Sequence, residues 1–187
     1  MTNKKLSAFK ISIHHSLKAK EKNGHLCISE KEESSIIKNI SFKKGNNDDV
    51  LIIHQDANCP AIQNLFEKKA KLESCDFIVL ICKNQNLHIF FCEMKSSISE
   101  KNCKKALEQI NSSKIFLEYL YKNYRQYFDE SFEISLDYAK YFCIYPASNP
   151  QKTLTFASSQ NVLKFKTIKM DLKGNALVND IYKFFSI

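Results

Sequence analysis

The sequence predicts an α/β domain in which a mixed central β-sheet is flanked by helices, with a β-rich stretch ahead of it. Three observations lead there. Residues 77–82, Phe-Ile-Val-Leu-Ile-Cys, are apolar at every position, which is the pattern of a strand in the middle of a sheet covered on both faces. Residues 100–127 place Cys103, Ala106, Leu107, Ile110, Leu117, Leu120, Tyr121 and Tyr124 along one helical stripe, with Lys101, Lys104, Lys105, Lys114, Lys122 and Arg125 outside it. Helical patterns also fall before, between and after the strand patterns, as in an α/β sandwich.

The elements follow in order. The first fifty-odd residues read as strands. Phe9-Lys10-Ile11-Ser12-Ile13 alternates, residues 25–28 form a short apolar run, and residues 36–42 form another. Asn23-Gly24 and the stretch Gly45-Asn46-Asn47-Asp48 supply turn chemistry between them. Residues 50–53, Val-Leu-Ile-Ile, give a further strand. A helix is expected from Pro60, where a missing N–H costs nothing at a first helical position, to about Ser74. Two strands, residues 75–82 and 87–96, are joined by Lys83-Asn84-Gln85-Asn86. After the long helix come strands at residues 139–145 and 162–170, separated by the turn residues 146–150. Gly174 then introduces a last amphipathic helix over residues 176–185. The chain therefore divides into a β-rich extension, residues 1–57, and a core, residues 58–187, forming one compact unit. A length of 187 residues suits such a unit.

Composition narrows the function classes. The net charge is +8 with a pI near 9.0, and lysine supplies nearly all of the excess. Such a charge suits a polyanionic partner, since each neutralised phosphate releases counterions; it equally suits a merely soluble, lysine-rich chain. Seven Cys, mostly inside apolar runs and with no pair at CxxC spacing, indicate free thiols and a reduced, cytoplasmic compartment. No apolar run reaches the roughly 20 residues that span a bilayer. No Gly-rich phosphate loop exists, which argues against a P-loop or Rossmann nucleotide enzyme.

The chemistry-bearing stretch is Cys75-Asp76-Phe77, then Cys92-Glu93-Met94-Lys95. Glu93 and Lys95 are two apart on a strand, so both project from one face. If Asn84-Gln85 is a two-residue hairpin turn, Lys83 pairs with Asn86, and counting outward places Asp76 opposite Glu93. Two carboxylates and an amine then meet at the end of an oily hairpin. Charges in such a place need a partner or a metal to offset desolvation. An all-oxygen donor set favours Mg²⁺ or Mn²⁺ over Zn²⁺. A nearby lysine is suited to positioning or deprotonating a water, or to neutralising charge on a phosphate under attack.

The order helix, strand opening with Asp, turn, strand ending in Glu-x-Lys, long helix resembles the PD-(D/E)XK nuclease superfamily. Here the pattern reads Asp76, sixteen residues, then Glu93-Met94-Lys95, and the resemblance covers roughly residues 60–127. Cys75 stands where the family name has Pro, a position that varies within the superfamily. The resemblance implies a restriction-endonuclease-like core, Asp76 and Glu93 as ligands of Mg²⁺ (or Mn²⁺), and Lys95 assisting the attacking water. It also implies a further acidic ligand on the preceding helix, for which Glu67 is the matching position, and a Gln on the following helix, for which Gln109 is. It makes the chain an endonuclease acting on nucleic acid, DNA before RNA, with restriction, repair or anti-phage defence as compatible roles. Without an evident specificity or translocase domain, a homodimer or a partner protein is expected.

Against this stand plainer readings. Glu-x-Lys arises by chance in lysine-rich chains, as Glu67-Lys68-Lys69 shows, and Glu93 with Lys95 also suits a solvated ion pair on a strand leaving the core. An inactive nuclease-fold module that binds nucleic acid or protein, and an RNA-cleaving toxin, are the alternative functions. The five His are scattered. His54, Asp56 and Cys59 form a weak candidate thiol site, because nothing in the sequence shows the electropositive pocket a reactive thiol needs. The lysines of the long helix suit either a phosphate track or a solvated face, and among its tyrosines Tyr121 and Tyr124 read as core.

Overall fold

A computed structural model describes residues 3–30, 33–43, 50–54, 73–147, 157–158 and 161–187. Its strands are β1 (Lys20–Lys22), β2 (His25–Ser29), β3 (Asn39–Lys43), β4 (Val50–Ile53), β5 (Phe77–Lys83), β6 (Asn86–Met94), β7 (Lys140–Pro146), β8 (Ala157–Ser158), β9 (Asn161–Ile168) and β10 (Asn175–Val178). The described helices are α1 (Asn3–Ser12), α2 (Glu100–Tyr127) and α3 (Ile181–Phe185), with a 3-10 turn over His15–Leu17. The fold is mixed α/β, built on two sheets that each combine parallel and antiparallel pairs. The larger runs β4-β5-β6-β7-β9-β8 and the smaller β1-β2-β3-β10.

Alternation along the central strands sorts their side chains into two cores. Ile78, Leu80, Ile89 and Phe91 face α1 and α2, joining Leu6, Phe9, Cys103, Ala106, Ile110 and Leu117. Phe77, Val79, Ile81, Phe90 and Cys92 face the other way, onto Ile28, Ile40 and Phe42 of the small sheet and Phe185 of α3. Three layers result: helices, central sheet, small sheet. Every position of β5 from Phe77 to Cys82 is buried, as a strand covered on both faces requires. The helix α2 begins where Ser99 accepts a hydrogen bond from the Asn102 N–H at 3.2 Å, a side-chain cap for an otherwise unpaired donor.

The β5–β6 hairpin has the register read from the sequence. Lys83 pairs with Asn86 and Phe77 with Cys92. Asn84 and Gln85 both take positive φ, 51° and 64°, the geometry of a two-residue turn that matches strand twist. Asn23-Gly24 does the same between β1 and β2, at φ 50° and 72°.

Several expectations are corrected. Phe9 to Ile13 is not a strand: residues 3–12 are helical. Leu6, Phe9 and Ile13 are buried while Ile11 is 77% exposed, so spacings of three and four, not two, carry the pattern. Nor is residues 176–185 one helix. Residues 175–178 are strand β10, parallel to β3, with Ala176 and Val178 buried and Leu177 exposed. The helix starts only after Asp180, whose carboxylate accepts from the Lys183 N–H at 2.9 Å. The strand expected over residues 36–42 is shifted to Asn39–Lys43, and the strand expected from Cys75 starts two residues later, at Phe77, which leaves Asp76 just ahead of it. Residues 60–72 of the helix expected from Pro60, with Glu67 among them, and the turn at residues 45–48 lie outside the described residues, while residues 73–74, where that helix is expected to end, are not helical. The strands of residues 20–43 end up in one sheet with β10 from the far end of the sequence, whereas β4 belongs to the central sheet.

Candidate functional site

The site forms where β5 begins and β6 ends. Because Phe77 pairs with Cys92, the residue before β5 meets the residue after Cys92, and backbone and side chains interlock there. The Asp76 N–H donates to Glu93 Oε2 at 3.1 Å, and the Met94 N–H donates to Asp76 Oδ2 at 2.5 Å. Each carboxylate is thus held by the other strand's backbone. Lys95, just past the end of β6, is anchored by its N–H to the Ile144 carbonyl of β7.

The side chain of Lys95 turns back over the pair. Its Nζ lies 2.6 Å from Glu93 Oε1 and donates to Gln109 Oε1 of α2 at 2.9 Å. Gln109 in turn donates from Nε2 to the Ser74 carbonyl at 3.3 Å, tying α2 to the segment leading into Asp76. A second tie comes from Ser113, one turn further along α2, whose Oγ accepts from the Cys75 N–H at 2.9 Å. Asp76, Glu93, Lys95 and Gln109 are therefore brought together in one constellation. Glu67 lies outside the described residues.

Glu93 is the unusual member. Among the described residues it is the buried charged side chain, 2% exposed, and Ser113 is the other buried polar one. Removal from water raises the Glu93 pKa above the ordinary carboxyl range, and the charge and hydrogen bond of Lys95 work against that rise. Asp76 is pushed well above its ordinary value, first by desolvation and then by the Glu93 charge, despite the Met94 N–H. The same desolvation, with both carboxylates nearby, pushes the buried Cys75 thiol up. Cys143, opposite Glu93 on β7, is raised to about 12. These thiols stay protonated, so neither is an activated nucleophile.

One acidic neighbour was not foreseen. The side chain of Glu30, at the end of β2, hydrogen-bonds Asp76 and adds its charge to the forces raising that pKa. No local sequence signal points to it, because its position follows from how the small sheet docks.

Both carboxyls bind protons more tightly in the folded chain than they would unfolded. Their contribution is therefore most favourable below the ordinary carboxyl range and is lost as pH rises through the elevated values. Asp76→Asn keeps an oxygen for the Met94 N–H while removing the charge. At pH 8 in chelator its melting temperature is expected to exceed that of the parent by a few degrees, since ~1 kcal/mol moves the midpoint by roughly 2–4 °C at this size. Differential scanning calorimetry measures it; a lower midpoint would contradict the electrostatic account.

Among the described residues, no three His, Cys, Asp or Glu side chains form a ready-made metal cage. Mg²⁺ does not demand one, being commonly held by one or two carboxylates, waters and substrate phosphates. Two converging carboxylates whose charges oppose each other in a desolvated spot fit such an ion in donor type and in electrostatic need. Compared with known proteins, the chain matches no family model, no curated protein and no solved structure.

Proposed function

We propose that the chain is a divalent-metal-dependent phosphodiesterase acting on nucleic acid, with DNA the favoured substrate, in the manner of the PD-(D/E)XK nucleases that its motif resembles. The observation that carries the reading is the meeting of Asp76, Glu93, Lys95 and Gln109 at one strand end, with Glu93 buried and Lys95 2.6 Å from it. Asp76 and Glu93 are the residues to hold Mg²⁺ or Mn²⁺. Bound there, the ion supplies charge neutralisation and activation of a water.

The chain's own residues do the rest. The Asp76 and Met94 N–H groups fix the two carboxylates so that ordering costs little when a ligand arrives. Lys95 Nζ, aimed by Glu93 and Gln109, is set to hold the nucleophilic water or the negative oxygens of the phosphate. Gln109 limits Lys95 to one orientation and links that orientation to the position of α2. A basic chain, +8 overall, suits a polyphosphate substrate.

Labelled DNA and RNA incubated side by side with purified protein, in Mg²⁺, Mn²⁺ or chelator, test the proposal. Metal-dependent cleavage of DNA is the expected result; cleavage of RNA alone would move the assignment to a ribonuclease. One observation favours a second reading: Lys95 already compensates the Glu93 charge, as a purely structural ion pair would. Nucleic-acid binding that survives chelation, with no cleavage in either metal, would establish that non-catalytic module instead.

A further inference from the structure

Away from the carboxylates, a cavity of about 810 Å³ opens between the start of the chain and the edge of β4. Leu26, Leu51 and Ile52 are among its lining residues, but their side chains are buried in the two cores and offer it little surface. Its rim carries Lys10, Lys18 and Lys20 against the single acid Glu21 among the described lining residues. The rim has a fixed shape. The Ala19 N–H donates to the Ile52 carbonyl at 3.0 Å and the His54 N–H to the Leu17 carbonyl at 3.0 Å, so residues 17–19 run along β4. Lys18 Nζ reaches the Lys10 carbonyl at 3.1 Å, which brings two lysine-bearing segments together.

Two of its lining residues neighbour the site along the chain or the sheet, although none of Asp76, Glu93, Lys95 and Gln109 lines the cavity itself. Ser29 and His54 line it. The residue after Ser29 is Glu30, whose side chain hydrogen-bonds Asp76. His54 follows Ile53, which pairs with Ile78, so its place in the register is beside Phe77, next to Asp76. Three lysines against one described acid in a cavity of this size match the phosphates of a nucleic-acid backbone.

We propose that this cavity seats a stretch of the nucleic-acid backbone, with its phosphates on Lys10, Lys18 and Lys20. The inference rests on the nucleic-acid reading given above, but it concerns binding and not hydrolysis. Its test is therefore done in chelator, where no cleavage is possible.

Fluorescence anisotropy with a labelled oligonucleotide, over a range of salt, compares the parent with K10Q/K18Q/K20Q. The control is K122Q/K173Q/K183Q, which changes net charge equally at three exposed lysines outside the cavity. The cavity variant is expected to bind at least about tenfold more weakly. Its salt dependence should be shallower by roughly 2–3 in log–log slope, the share of three phosphate contacts. The control should stay within about threefold. The single change Lys20→Gln, at an exposed position, guards against misfolding of the triple variant and should remove roughly one third of that slope change. Equal losses in both triple variants would overturn the inference in favour of diffuse charge, and so would unchanged binding by the cavity variant. Cavity-dependent binding to anionic vesicles with no binding to oligonucleotides would overturn it as well. Absence of cleavage in metal, with this binding pattern intact, would remove the hydrolytic reading and leave the cavity assignment standing.

Discussion

Lys95→Ala is expected to reduce metal-dependent cleavage by roughly 10²–10⁴-fold, the range that a positioned acid–base or electrostatic group contributes, with folding preserved. The side chain is 14% exposed and its backbone N–H stays bonded to Ile144, so truncation does not open the core, and the stability lost by leaving the buried Glu93 without its partner is read from the melt. Lys95→Arg should rescue little, since a planar guanidinium cannot keep both the Glu93 Oε1 and Gln109 Oε1 contacts from one point. Glu93→Gln should reduce cleavage to background: it keeps an oxygen for the Asp76 N–H but removes a charge that a hard cation requires. Single-turnover assays with purified variants, beside thermal melts that establish folding, give the answer. Retention of parental activity by either folded variant would remove the catalytic assignment.

The second large effect concerns α1. Phe9→Ala is expected to cost about 3–5 kcal/mol, as for other large-to-small changes in a packed core. The Phe9 ring is fully buried, with its centroid 4.9 Å from that of Tyr124 and 4.7 Å from that of Phe132. It thereby joins α1 to α2 and to the segment after it. Ile11→Lys, two residues on, should change stability by no more than about 0.5 kcal/mol, since it lies at an exposed helix position. Urea unfolding of both variants measures the contrast. Comparable costs would return residues 9–13 to the strand that their alternation suggests.

That contrast also shows what a sequence can and cannot carry. The β5–β6 register was legible because a two-residue turn fixes every later pairing, so Asp76 could be placed against Glu93 by counting. The helix α2 was legible because its stripe persists over 28 residues. Residues 9–13 were not: in five residues the spacings two and four share their end points, and only a partner such as Tyr124 decides between them. The segment 175–178 failed for a related reason. Ala, Leu and Val suit helix and strand alike, and what makes β10 a strand is its distant neighbour β3. Glu30 was hidden for the same cause, since no spacing along the chain records that β2 ends beside Asp76.

The pairing of β10 with β3 has a kinetic side. Asn39 donates through Nδ2 to Asn175 Oδ1 across 136 positions of sequence, a separation whose closure entropy must be met before that edge yields any return. The hairpins β1–β2 and β5–β6 have no such cost and are set to form first. Until β10 arrives, β3 is paired on one side only, by β2, and its other edge is open. The slow step of folding should then be the joining of distant strands, and the species awaiting it is the one most open to aggregation.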